Sequence, residues 1–205
     1  MNTLLADPTT IDWPARLATA RIPFPVVGGM PINPVHPELP EGQGELGHWG
    51  ERPCADAAVF VTVHGVRWLL MGRRDDGHGW ALPGGGLEAG ETDLEGGLRE
   101  LREETGLRID PTVPDVTVSV DGARYVSDPR AARNAWMVTT LIVVDLGEQP
   151  NFPRAVAGDD LERVAWFPAR GLAALEASIE RVEPAGKLFF SHRQMLTDLL
   201  GPGRK

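Results

Sequence analysis

GGGLEAGETDLEGGLRELREETGL, residues Gly84–Leu107, is a glycine-rich loop running into one short acidic helix. Thr92 followed by Glu95 has capping-box spacing, and Gly106 stands where a left-handed residue ends a helix, so the helix is expected over Asp93–Thr105. Leu94, Leu98 and Leu101 recur at helical spacing and make the buried stripe. Glu100, Glu103 and Glu104 project from roughly the opposite side.

Three like charges so close repel, at a few tenths of a kcal/mol per pair. One reading is a solvated face laced by ion pairs, since Glu95 to Arg99 and Arg99 to Glu103 both have pair spacing. The other places a cation against the carboxylates. Gly84, Gly85, Gly86, Gly90, Gly96 and Gly97 surround them, and a glycine inside a helix costs about 1 kcal/mol against alanine. That cost implies close approach by backbone or ligand. Hard divalent ions such as Mg²⁺ take carboxylate and carbonyl oxygens and commonly share their site with substrate phosphates.

From Gly85 the chain reads glycine, five residues, Glu91, seven residues, then Arg99-Glu100-Leu101-x-Glu103-Glu104-x-Gly106-Leu107. This resembles the Nudix box at every fixed position. The resemblance implies an α/β protein, a Nudix-type α/β/α sandwich with a mixed sheet. It also implies Mg²⁺ or Mn²⁺ held by Glu100, Glu103, Glu104 and the Gly85 carbonyl, with Glu91 and Arg99 pairing to fix loop against helix.

At 205 residues the chain allows one domain with an extension or two small ones, and 42% hydrophobic residues is ordinary for a globular protein. A net charge of −9 argues against nucleic acid as the main partner, because phosphate contacts need clustered Lys and Arg. A small nucleoside diphosphate sugar held through metal remains compatible. Cys54 is the single cysteine, which excludes an internal disulfide, favours a reducing compartment and reads as a small buried residue. With neither a basic-then-apolar leader nor a membrane-length apolar run, the expected location is cytoplasmic and no membrane partner is expected.

Residues 1–52 are rich in Pro and Gly and read as an arm or small cap region, with 53–205 as the catalytic domain. Gly42-x-Gly44-x-x-Gly47 matches a dinucleotide fingerprint by letter, but a Pro-rich stretch precedes it where a strand is required. Strands are expected at Ala57–Val63, Arg67–Arg73, Trp80–Leu82, Val116–Val126, Ala135–Leu146 and Val164–Phe167, and helices at Leu172–Val182 and Leu188–Leu200.

Three segments outside the box carry chemistry. Asp128-Pro129-Arg130 reads either as a turn with a surface ion pair or as a site where Arg130 binds phosphate or ribose and Asp128 accepts from sugar hydroxyls. Gly158-Asp159-Asp160 is a polar turn or a source of one more carboxylate near the metal, for which Asp160 is the candidate. Phe189 and His192 are core residues or an adenine platform. Together with GQGELGHWG, Ala55-Asp56, YVSDPRAARNAWM, AGDDLERVAW and FFSHRQM, they look like blocks of the human-type mitochondrial ADP-ribose pyrophosphatases and of the Nudix-homology domain of the melastatin-type channel. That narrower resemblance implies hydrolysis of ADP-ribose to AMP and ribose 5-phosphate, with Asp128 and Arg130 on ribose and phosphate and His192 at the adenosine end. Phe189 stands where those relatives often carry Tyr, which keeps stacking and loses a phenol hydrogen bond. The alternatives are an ADP-ribose sensor without turnover, or a hydrolase of NADH, a dinucleoside polyphosphate or an oxidised nucleoside triphosphate.

Overall fold

The structure, a computed structural model, describes residues 7–201. The chain divides into two compact units. One runs to Cys54 and takes in Gly122–Thr140; the other takes in Ala55–Asp121 and the chain from Leu141 on. Residues 122–140 folding with the N-terminal segment is a feature that the composition of residues 1–52 does not announce.

In the first unit the Pro-rich stretch is more than an extended arm. Asp12 accepts from the Ala15 amide and Pro14 sits in the first turn of α1 (Trp13–Thr19). Two short strands follow, β1 (Val26–Val27) and β2 (Met30–Pro31), paired antiparallel. Trp13, Phe24, Trp136 and Val138 form this unit's own core. Phe24 meets Trp136 edge-to-face at 5.0 Å.

The chain then runs through β3 (Gly50–Val63), β4 (Val66–Arg74), β5 (Trp80–Ala81), β6 (Gly84–Gly86), α2 (Asp93–Thr105), β7 (Thr117–Val120), β8 (Arg124–Val126), β9 (Ala135–Gln149), β10 (Leu161–Pro168), α3 (Leu172–Val182) and α4 (Arg193–Leu199). The main sheet has the order β10-β4-β3-β9-β7. In the second unit alternation along the strands separates two cores. Ala58, Phe60, Leu69, Met71 and Leu141 face Leu175, Ile179, Leu196 and Leu199 of α3 and α4. Ala57, Val59, Val61, Leu70, Ile142 and Val144 face Leu101 of α2, with Leu94 and Leu98 packed alongside. One helix covers one face and two cover the other, which is an α/β/α sandwich.

The box helix and α3 have the ends that the sequence predicts. β3 starts at Gly50 rather than Ala57 and β10 at Leu161 rather than Val164, and three further expectations change in kind. The single strand expected over Val116–Val126 is interrupted between β7 and β8, where Gly122 has no side chain to pack. The helix expected from Leu188 starts as a 3₁₀ turn at Phe190. Trp80 donates to the Lys187 carbonyl and Phe189 donates to Trp80's carbonyl, so residues 187–189 are tied to β5 as extended chain. Cys54 is half-buried rather than core. Among the described residues no helix is long and apolar enough to cross a membrane.

Candidate active site

The capping box forms as spelled: Thr92 Oγ1 accepts from the Glu95 amide at 3.2 Å, Glu95 accepts from the Thr92 amide at 2.9 Å, and Gly106 ends α2 at φ 68°. The two helix glycines are explained by side chains rather than by a ligand. A Cβ on Gly96 would fall 2.2 Å from Leu87 and one on Gly97 would fall 2.6 Å from Ile142, so their absence lets α2 lie close to loop and sheet.

Arg99 fastens the loop to that helix. Its Nε and Nη2 donate to the two oxygens of Glu91 at 2.7 and 3.0 Å, and Nη2 donates to the Gly86 carbonyl at 3.0 Å. Its Nη1 donates to Glu100 at 2.9 Å and to Glu103 at 3.0 Å. One planar guanidinium therefore serves three carboxylates and a carbonyl. The fork holds Glu91 down at about 2, with the Glu88 amide helping. The same partners raise Arg99 further above its ordinary value.

Glu104 lies in the opposite environment. It is 5% exposed and accepts from the Gly84 amide at 2.9 Å. Burial pushes its pKa up to about 8, and the charges of Glu100 and Asp56 push the same way. Burial is also the main cause raising Glu100. Gly84 has to be bare: a Cβ there would lie 2.5 Å from both the Ala55 carbonyl and the Asp56 carboxylate, and one on Gly85 would lie 2.7 Å from the Glu100 carboxyl.

Among the described residues no three His, Cys, Asp or Glu side chains form a ready metal cage, because Arg99 draws Glu100 and Glu103 to itself. The donor set nevertheless fits a divalent cation. Buried carboxyls pushed toward the neutral form, with a glycine cradle beside them, are what a hard cation with oxygen ligands would neutralise.

The NUDIX domain family model matches residues 52–186, a span that contains this helix, its loop, the strands from β4 to β10 and α3. The chain belongs to the Nudix family. It is similar to nudix hydrolase 6 of Caenorhabditis elegans, 32% identical over 72% of this chain. It is also similar to the mitochondrial ADP-ribose pyrophosphatase of Rattus norvegicus, 26% identical over 76% of this chain. A third relative is the transient receptor potential cation channel subfamily M member-like 2 of Nematostella vectensis, 28% identical over 76% of this chain. The chain spans 59%, 53% and 12% of the lengths of these three relatives. A bifunctional NMN adenylyltransferase/ADP ribose pyrophosphatase from Francisella tularensis superposes with a TM-score of 0.54 at 26% identity, over 73% of this chain and 40% of that one.

The remaining candidates of this Nudix chain divide between the units. Asp128 and Arg130 lie in the first. Arg130 grips Asp128 with Nε at 2.9 Å and Nη2 at 2.8 Å, and its own amide donates to the same carboxylate at 2.8 Å. The pair is an ion pair in a turn, with the Asp128 side chain fully buried rather than at the surface and Arg130 about one-third exposed. The Gly42–Gly47 stretch that imitates a dinucleotide fingerprint holds this turn. Glu45 donates to the Arg130 carbonyl at 3.0 Å, Gly42 donates to the Asn134 side chain at 2.8 Å, and a Cβ on Gly44 would fall 2.2 Å from the Arg130 oxygen.

In the second unit Phe189 is buried, with the Arg74 guanidinium 4.9 Å from its ring centre, which leaves little face for stacking. His192 is buried with its ring toward Asp56. Asp160 is exposed and uses its carbonyl to accept from the Asp75 amide. Its neighbour Asp159, at φ 48°, is the residue of that turn whose charge helps raise Glu100. Gly158 donates to the Glu104 carbonyl and Val156 to that of Thr105, so this turn docks on the end of α2. The sequence reading assigns no role to Asp56 or Asp159. Besides the Ala55-Asp56 block of the resemblance, an acid inside the apolar run CADAAVFVTV is the signal that marks Asp56.

Proposed function

We propose that this Nudix domain is a metal-dependent pyrophosphohydrolase that splits ADP-ribose into AMP and ribose 5-phosphate. The observation that carries the reading is the contrast within α2, where Arg99 satisfies the carboxylates on the loop side while Glu104 is buried near Glu100 and Asp56 and is pushed up to about 8 despite the charge of Arg74. Glu100, Glu103, Glu104 and the Gly85 carbonyl would hold Mg²⁺ or Mn²⁺. When bound, the metal supplies polarisation of phosphoryl oxygens and activation of water. The residues themselves supply position: Arg99 and Glu91 keep the loop on the helix, and the Gly84 amide fixes one oxygen of Glu104. Arg130, pre-oriented by Asp128, binds a phosphate or ribose oxygen. Water adds to one phosphorus, the bridging P–O bond breaks, and AMP or ribose 5-phosphate leaves with that oxygen. Likeness to the rat and Francisella proteins supports ADP-ribose as the substrate.

The same likeness extends to a cation-channel relative, which favours as the second reading an ADP-ribose sensor without turnover. Incubation with ADP-ribose and Mg²⁺ followed by chromatography separates the two, because AMP is released only by the hydrolase. A panel including NADH, dinucleoside polyphosphates and oxidised nucleoside triphosphates ranks the substrates. Glu104→Gln is expected to lower turnover by roughly two to three orders of magnitude with an unchanged circular dichroism spectrum. Near-normal turnover removes Glu104 from the metal site.

A further inference from the structure

His192 and Asp56 are both 6% exposed and lie in the same unit as Glu104. The His192 ring is gripped at two ends. Nδ1 accepts from the Leu82 amide at 3.1 Å, and Nε2 lies 3.5 Å from Oδ1 of Asp56. A ring nitrogen that accepts a hydrogen bond carries no proton, so the imidazole proton sits on Nε2 and faces the carboxylate. Phe189 closes one side of the ring edge-on at 5.0 Å, so it cannot turn away freely.

Beyond Asp56 the succession of neighbours reaches the box. The Asp56 carboxylate occupies the space where a Gly84 Cβ would stand, 2.5 Å from it, and the Gly84 amide is the donor that Glu104 accepts from. The Pro83 carbonyl accepts from the Ala57 amide at 2.7 Å, clamping the same turn to the residue after Asp56. Leu82, bound by the ring, and Gly84, pressed by the acid, flank that proline.

We propose that His192 is a positioning residue: its Nε2–H fixes the Asp56 carboxylate against the Gly84 turn, and this turn sets where Glu104 presents its oxygens. The proposal rests on the metal-site reading of Glu104 and assigns His192 to the phosphate end of the substrate rather than to adenosine. At 3.5 Å the His192–Asp56 approach lies at the outer limit of a hydrogen bond, within the reach of a ring held by Leu82 and Phe189.

Two substitutions separate the two ends of the ring. In His192→Asn the amide oxygen takes the place of Nδ1 and keeps the Leu82 bond, but the shorter side chain does not reach Asp56. In His192→Gln the amide nitrogen takes the place of Nε2 and still donates to Asp56. His192→Asn is expected to weaken Mn²⁺ binding, followed by electron paramagnetic resonance, about tenfold and to lower kcat for ADP-ribose at least as much, with KM nearly constant. His192→Gln is expected to recover most of both. Equal losses in the two variants, or no loss in either, overturn the proposal. Imidazole ¹⁵N spectra of the unsubstituted protein test it independently of folding defects: a bare Nδ1 and a protonated Nε2 are expected, and a proton on Nδ1 rejects it. If no diphosphate is hydrolysed, the substrate reading fails alone, while the Mn²⁺ titrations and spectra still decide the role of His192.

Discussion

Arg99 and Arg130 each hold a carboxylate with two prongs of a guanidinium, one in each unit, and the two forks differ in how much chain they span. Arg99 reaches eight residues back to Glu91 and thirteen back to Gly86, and its other amino group serves Glu100 and Glu103. Its side chain is 17% exposed. Arg130 turns back on Asp128, two residues away, and its side chain is 32% exposed against a carboxylate that is fully buried. A fork that joins distant segments is architecture. A fork closed within a turn spans two residues, and what it fixes is the direction of its own cation.

The comparison breaks most visibly at Arg99. Arg99→Ala releases the Gly86–Glu91 loop and leaves three carboxylates without their shared cation, so the glycine cradle moves relative to Glu104. Turnover is expected to fall about 100-fold or more, because displacements near 1 Å cost that much, and the thermal midpoint is expected to fall with it. Arg99→Lys is not expected to rescue, since a point charge cannot serve Glu91 in two prongs while reaching Glu100 and Glu103. Full activity in the lysine variant would mean that charge alone is needed there.

Arg130→Ala should leave kcat nearly intact and raise KM for ADP-ribose about tenfold or more, the weight of one charge-assisted hydrogen bond. It should also lower the thermal midpoint, because the buried Asp128 loses the Arg130 cation. Steady-state kinetics on the purified variant read this directly, and an unchanged KM places Arg130 off the substrate. Gly44→Ala sharpens the same point without touching the charge. The new methyl would meet the Arg130 carbonyl at a backbone angle that L residues rarely adopt, φ 58°, and would push the turn aside. A smaller KM increase of about threefold to tenfold is expected, with a lowered thermal midpoint. A changed midpoint at constant KM would show that the turn's position does not matter for binding.

The two forks also differ in how far the sequence announces them. The Arg99 fork rises from a helix whose cap, apolar stripe and terminal glycine are all local, so its register and the Arg99–Glu103 pair follow from spacing. Glu91 as a partner follows from the resemblance to the Nudix box, and Glu95, also at pair spacing, turns to the cap at Thr92 instead. The cradle that aims Arg130 joins Gly42–Glu45 to Arg130–Asn134, and no local period links segments so far apart. The seven-residue helix at Trp13–Thr19 was written in Asp12 and Pro14, but the surrounding prolines hid it because composition averages over the signal. His192 and Phe189 look alike in the sequence as aromatic rings near a helix start. Tertiary partners decide between them: the Leu82 amide and Asp56 for one, and Arg74 for the other.

Acid offers the gentlest way to open one fork. Glu91 titrates near 2 in the folded chain against an ordinary 4.5, so the folded state binds its proton less readily than the unfolded state does. The sign follows: the stabilisation is fully present above about 4.5 and is lost as pH falls toward 2. In Glu91→Gln the carboxylate is absent at every pH, so its thermal midpoint should lie a few degrees below that of the parent at pH 6. The two curves should then converge as pH falls from 5 toward 2. Because Glu91 is solvent-accessible, raising the salt concentration should narrow the gap at pH 6 as well. Parallel curves across that pH range would mean that Arg99 holds the loop chiefly through the Gly86 carbonyl, and the fork would then be a backbone clamp rather than an ion pair.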